Sequence, residues 1–182
     1  MMDRNLVVLV NEQDEEIGTM EKMEAHRKGL LHRAFSVFIF DKEGRMLLQQ
    51  RAERKYHGAN LWTNACCSHP LPGEKVEAAA LRRLKEELGF ETEVNKIFHF
   101  IYNEAVENGL TEHEYDHVFT GMYNNEIFNP DPAEVNELKF MQMEAIRNNL
   151  LNQPSAFTTW FRISFPKIEQ WHLTQFKKAN SQ

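Results

Sequence analysis

Cysteine is nearly absent from this chain: there are two in 182 residues, and they are neighbours, Cys66 and Cys67. Two cysteines cannot build a disulfide framework, and a bridge between adjacent residues strains the local backbone, so stapled small-domain architectures drop out. Such sparing use fits a reducing compartment, where a lone cysteine motif serves metal binding or catalysis more often than cross-linking. An excess of positive charge is also missing. Lys and Arg number 21 against 27 Asp and Glu, giving a formal net charge of −6 and a pI near 5.8. Nucleic acid and anionic membrane surfaces demand a basic footprint, so neither is expected as a partner, and any anionic ligand must meet a local cluster of cations. The N-terminus MMDRNLVVLVNEQDEE carries neither a signal-peptide pattern nor a run of about 20 apolar residues. A soluble, cytoplasmic chain is therefore expected, monomeric or weakly dimeric. Repeats and low-complexity stretches are absent as well, which predicts one domain over residues 1–182 with a loose tail from about 177.

What is present is ordinary globular material: 42% hydrophobic and 26% charged residues, enough apolar surface to bury a core and too little charge density for disorder. LVVLV, residues 6–10, reads as a buried strand. FSVFIF, DKEG and RMLLQQR read as two strands joined by a turn, and AERKYHGANLW as a loop. From Glu74 to Leu88 the apolar stripe of Val76, Ala80, Leu81, Leu84 and Leu88 has helical period, and Gly89 is placed to end the helix. FETEVNKIFHFIYNEA and TEHEYDHVFTGMY, rich in aromatic and β-branched residues, predict two further strands around VENGL. After the break at NPDP, EVNELKFMQMEAIRNNLL predicts a short strand running into a helix, and residues 154–178 a helical pattern. Strands and helices are mixed along the chain, so the fold class is α/β (α+β), a mixed sheet flanked by helices.

Three sets of residues carry chemistry. TNACCSHPLPGE places Cys67 two residues before His69, ahead of a Pro-Gly turn. Glu112 and Glu114 alternate in a predicted strand, so both carboxylates point to one face and can converge on a cation. His26 and His32 are six apart, which on a continuous helix would turn them to different faces; joint ligation requires a bend, and Gly29 supplies a break. Three imidazoles and two carboxylates suit a divalent ion such as Mn2+ or Zn2+, or Mg2+ if oxygen ligands dominate. The remaining histidines, His57, His99, His113, His117 and His172, have no such constellation around them and read as surface or core residues.

SHPLPGEKVEAAALRRLKEELGF holds Glu74, Arg82, Leu84, Glu86, Glu87, Gly89 and Phe90 at the spacings of the Nudix box, with Ser68 where that box starts with glycine. In such helices carboxylates hold a divalent cation that in turn holds a diphosphate. Arg83 stands where hydrolytic members carry a glutamate that helps bind metal and activate water, and a cation there suits an intact diphosphate. Together with HRAFSVFIF, LWTNACCSHP and ENGLTEHEYDHVF, over roughly residues 5 to 165, the chain resembles the type I isopentenyl diphosphate isomerases, a non-hydrolytic Nudix branch. The fold this implies is a Nudix-like mixed β-sheet sandwiched between helices.

The resemblance assigns roles that spacing alone leaves open. It implies Cys67 and Glu114 as opposed acid–base groups, with Tyr102 assisting Glu114. It implies Trp160 as the aromatic face for the carbocation. Metal ligands matching the family are His26, His32, His69, Glu112 and Glu114, and Glu87 matches the ligand of an Mg2+ that arrives with the diphosphate. Lys22, Arg51, Lys55 and Arg83 match its diphosphate grip. The implied substrate is a small isoprenoid diphosphate. Ser155 stands where relatives carry a second aromatic residue. Two competing expectations remain: a Nudix hydrolase acting on a nucleoside or other diphosphate, and a non-catalytic metal-binding module.

Overall fold

The computed structural model describes residues 5–55 and 57–179, with side chains of the last helix described through residue 175. The strands are β1 (Leu6–Val10), β2 (Glu16–Glu21), β3 (His32–Phe40), β4 (Met46–Arg51), β5 (Trp62–Thr63), β6 (Cys66–Ser68), β7 (Val94–Ala105), β8 (Thr111–Met122) and β9 (Val135–Met141). The helices are α1 (Lys22–Lys28), α2 (Val76–Leu88), α3 (Met143–Asn152) and α4 (Thr159–Ala179). No helix among the described residues is long and apolar enough to cross a membrane.

β3 organises the sheet. It runs parallel to β8 along its whole length, from His32 opposite Glu114 to Phe40 opposite Met122, and antiparallel to β6, where Ser36 faces Cys67. β7 and β8 form a long antiparallel hairpin, and β4 carries β9 and β5. Burial on both faces explains why β3 reads as a continuous apolar run rather than an alternation. Its odd residues Phe35, Val37 and Ile39 pack with Ala79, Ala80, Leu84 and Leu88 of α2. Its even residues Phe38 and Phe40 pack with Ile146 of α3 and Phe161, Phe165 and Ile168 of α4. The mixed sheet is thus sandwiched between helices, as expected. The two cysteines obey the same period: Cys66 joins the α2 core and Cys67 the α4 core.

Gly89 ends α2 in the left-handed region at φ 72°, and a Cβ there would lie 2.5 Å from the Asn129 carbonyl oxygen. Only glycine fits this stop. The sequence reading does not separate β2 and α1 from their surroundings. α1 has only seven residues and owes its existence to its caps: Glu21 accepts from the Met23 and Glu24 amides, and Gly29, φ 62°, closes the other end. The tail expected to loosen near 177 begins within α4, which continues through Ala179; residues 180–182 lie outside those described.

The aromatic stack of Phe157, Phe161 and Phe165 gives this half of the core its strength, with Phe161 fully buried and ring centroids 5.5 and 5.7 Å from its two neighbours. Phe161→Ala should cost about 3–5 kcal/mol of unfolding free energy. Leu151→Ala, at a side chain 74% exposed, should stay within about 0.5 kcal/mol of the parent. Urea denaturation with matched m-values measures both.

Candidate active site

The period of two along each strand puts the chemistry on one face. Glu112, Glu114 and Asp116 lie on the same side of β8 as Val118, a residue of the α4 core, and β3 presents His32 and Ser36 beside them. Register then aligns Tyr102 of β7, Glu114 of β8 and His32 of β3 in one cross-strand row. β6 brings Cys67 opposite Ser36 and delivers His69 just past its end. The bend the sequence reading requires between His26 and His32 is present: α1 carries His26, the chain turns at Gly29, and His32 opens β3. His113 holds this turn against β8 through the Gly29 carbonyl at 2.8 Å.

Four donors meet in a small volume. The ligating atoms of His26, His32, His69 and Glu114 all lie within 4.8 Å of one another. His26 Nδ1 sits 2.6 Å from the Lys22 carbonyl and His32 Nδ1 2.8 Å from the Leu30 carbonyl. Carbonyls only accept, so each Nδ1 carries the proton and each Nε2 lone pair points into the cage. His26 Nε2 is buried with no hydrogen-bond partner, and His32 Nε2 lies 3.2 Å from His69 Nε2. Two donors at right angles on one ion with Zn–N-type bonds are about 3 Å apart. An orphaned imidazole nitrogen, a close nitrogen pair and a buried carboxylate fit a divalent cation. Glu112 stands at the edge of this group: Oε2 is 3.5 Å from His26 Nε2, while Oε1 is taken by His57 Nε2 at 2.6 Å.

Electrostatics follow the same contacts. Burial opposes ionisation of Glu114, but hydrogen bonds to His32 and His69 hold its carboxyl well below the usual range. Burial lowers His69 to about 4, against the pull of Glu114. His26 is also buried, yet Glu112 and the Lys22 carbonyl raise it above its ordinary value. Tyr102 donates to Glu114 Oε2 at 2.6 Å, and burial pushes its phenol well up, so the hydroxyl proton stays in place. Burial pushes the Cys67 thiol up, with the Arg51 charge pulling the other way.

Cys67, His69, Tyr102, Glu112, Glu114 and Trp160 line a cavity of about 190 Å³, together with Lys22, Arg51, Lys55, Arg83 and Glu87. Of the expected metal ligands, His26 and His32 are not among the lining residues. Burial and the neighbouring charges of Lys55 and Arg83 lower Lys22, which marks a cation cluster wanting an anion. Arg83 is not a solvated helix charge: its side chain is 19% exposed and contacts Glu86 at 2.9 Å, Glu87 at 2.7 Å and Glu134 at 3.3 Å. Arg82 instead clamps Glu74 through two 2.8 Å bonds, tying the Pro-Gly loop to α2.

Two ionisable lining residues, Glu134 and His57, have no site role in the sequence. Glu134, whose side chain meets Lys55 at 2.5 Å, sits in the irregular DPAEV segment, where no periodicity marks it. His57, read from sequence as an ordinary histidine, is corrected by its position: it is buried, bonded to Glu112, and its ring centroid is 5.7 Å from that of Trp160. A loop histidine has no periodic signal to expose it, and only the fold shows the carboxylate it faces.

Residues 30–161 match the NUDIX domain model. The fold agrees with a crystal structure of a Deinococcus radiodurans protein (TM-score 0.68, 19% identity, covering 81% of this chain and 90% of that one) and with a MutT protein from Methanosarcina mazei (TM-score 0.63, 20% identity, 77% and 94%). Among curated relatives, isopentenyl-diphosphate Delta-isomerase 2 of Photorhabdus laumondii is 47% identical over 91% of this chain and 96% of its own length. The isopentenyl-diphosphate Delta-isomerase of Aliivibrio fischeri strain MJ11 is 45% identical over 96% and 98%. The chain belongs to the isopentenyl-diphosphate Delta-isomerase family of NUDIX proteins. The family implies dependence on a divalent metal, and the His/Glu group is a possible site for it.

Asp116 lies beneath the site, buried, with Ser36 Oγ donating to Oδ2 at 2.8 Å and Oδ1 unpartnered. Burial, reinforced by the Glu114 charge, raises its pKa well above 3.8. A carboxyl raised on folding contributes stability that is complete below its unfolded pKa and is lost as pH rises from there toward the folded value. Asp116→Asn removes that loss. The variant should therefore gain stability relative to the parent at pH 8 compared with pH 5, as read by denaturant unfolding at the two pH values; an equal difference at both would contradict it.

Proposed function

We propose that this chain, acting as a single domain, interconverts isopentenyl diphosphate and dimethylallyl diphosphate. One observation carries the reading: the Tyr102–Glu114 pair and the Cys67 thiol line one cavity together with a cluster of cations. Moving a carbon–carbon double bond requires a proton added at one carbon and another removed two carbons away, hence two acid–base groups facing one substrate. Tyr102 and Glu114 form the group that handles the proton at the terminal carbon. Cys67 handles the proton at the carbon nearer the diphosphate.

The proton balance follows from the surroundings of the two groups. Burial holds Cys67 as a thiol, and the hydrogen bonds to His32 and His69 hold Glu114 as a carboxylate, whereas the forward reaction starts from a thiolate and a protonated Glu114. A proton must therefore return from the first group to the second before each forward turnover, while the reverse reaction starts from the states as they stand. Positive charge on the hydrocarbon between the two transfers is stabilised by the Trp160 ring. His26, His32, His69 and Glu114, with Glu112 beside them, would hold one divalent ion, Mn2+, Zn2+ or Mg2+, and Glu87 a Mg2+ accompanying the diphosphate. The chemistry such ions supply is fixed positive charge, beside Glu114 and on the phosphate oxygens. Lys22, Arg51, Lys55 and Arg83 grip the diphosphate.

Hydrolysis is disfavoured because Arg83 replaces the glutamate that activates water in hydrolytic relatives and is itself bound to Glu87. Proton NMR of isopentenyl diphosphate with the protein and Mg2+ tests the reading: new allylic methyl signals are expected, whereas release of inorganic phosphate or unchanged spectra would overturn it. In the same assay Cys67→Ala should abolish turnover with fold retained, and Cys66→Ala, which alters the opposite core, should preserve it. Arg83→Ala should raise KM roughly 10- to 100-fold through loss of a charge-assisted contact. Steady-state kinetics equal to the parent would leave Arg83 with a purely structural part.

A further inference from the structure

His57 makes contacts that none of the assigned roles uses. It lies in the irregular loop between β4 and β5, yet is only 6% exposed. A side chain in such a loop is buried only when something holds it there. Its Nε2 is 2.6 Å from Glu112 Oε1. That contact occupies one carboxylate oxygen and leaves Oε2 turned to His26 Nε2, 3.5 Å away. The ring of His57 also packs against Trp160, at an interplanar angle of 60°. One imidazole therefore touches both the acidic edge of the cage and the aromatic wall of the cavity.

The loop is built to keep it there. Gly58 adopts φ 59°, and its amide donates to Glu107 Oε2 at 2.9 Å. A Cβ at Gly58 would meet Arg51 Nε at 3.3 Å, so the backbone passes close to that guanidinium. Arg51 Nη2 in turn donates to the His57 carbonyl at 3.1 Å, and its guanidinium carbon is 5.1 Å from the Trp160 ring centre. The side chain of His57 serves the cage and the aromatic ring, while its main chain serves a diphosphate cation.

We propose that His57 is a positioning residue: it orients the Glu112 carboxylate toward His26 and braces Trp160, so that the metal cage and the aromatic wall are set by one side chain. The proposal rests on the reading of the His/Glu group as a metal site. Partners of this kind around metal ligands typically change metal affinity by 10- to 100-fold when removed. Since Arg51 contacts the main-chain carbonyl, substitution at 57 leaves that acceptor in place, and the effect separates from diphosphate binding.

Mn2+ titration of the purified full chain without substrate, followed by electron paramagnetic resonance of free Mn2+, reads the cage directly. His57→Leu should weaken Mn2+ roughly 10- to 100-fold. His57→Gln, which keeps an N–H donor at similar reach, should remain within about threefold of the parent, whereas His57→Asn, one carbon shorter, should behave like the Leu variant. At saturating Mn2+ the Leu and Asn variants should lower kcat and leave KM for isopentenyl diphosphate within about twofold. The Gln–Asn comparison keeps the test decisive if the Leu variant does not fold. Parental Mn2+ affinity in the Leu or Asn variant, or equal loss in Gln and Asn, would overturn the role of His57 alone. Absence of Mn2+ uptake by the parent would overturn the metal reading and this proposal with it.

Discussion

A carboxylate largely withdrawn from solvent must be satisfied by the protein, and the architecture of this site follows from that requirement at Glu114. Taking an ion out of water costs several kcal/mol even after relaxation, so a buried carboxylate survives only with well-placed partners. Glu114 has Tyr102 on one oxygen and His69 on the other, with His32 at 3.6 Å. These partners come from β7, from the segment after β6 and from β3, so the pairing of the sheet and the solvation of one side chain are the same fact. Tyr102 and His32 reach Glu114 because they share its row, and a row exists only in the correct register.

The second half of the site compensates charge by a different means. Five cations, Lys22, Arg51, Lys55, Arg82 and Arg83, line the cavity together with Glu87 and Glu134. Burial opposes ionisation of Glu134, yet Lys55 and then Arg83 hold its pKa below the ordinary value. Lys55 and Arg83 are thereby held in place by a protein carboxylate, which reduces the side-chain entropy that binding an anion there would cost. In a chain of net charge −6, this local arrangement reconciles an acidic surface with an anionic ligand.

Most of the fold was legible because its elements are strongly periodic: α2 from its apolar stripe and Gly89, β3 and β4 from their apolar runs, and the β7–β8 hairpin from its aromatic and β-branched residues. β2 was not legible, because its burial pattern lacks the alternation that marks a strand with one core face. The candidate metal ligands divide along the same line. Glu112 and Glu114 were visible as an alternating pair on one strand, and the break between His26 and His32 was visible in Gly29. That the histidines meet those carboxylates required the parallel pairing of β3 with β8, a contact across 82 residues that no local pattern encodes. The Nudix-like helix and the TNACCSHP segment supplied that long-range information through resemblance. His57 and Glu134 lay outside both sources, being loop residues without period.

The placement of Cys66 and Cys67 in two different cores has a consequence for folding fidelity. A one-residue slip of β6 against β3 would exchange the two sulfur atoms, offering the cavity a chemically identical group on the wrong stem. Composition cannot guard against this, since both residues are cysteine. Register against Glu114 does so, because the slip would also turn His69, two residues beyond Cys67, away from the Glu114 carboxylate it contacts at 2.8 Å. Solvation of one buried carboxylate thus acts as an error check on which of two equivalent thiols is presented to the cavity.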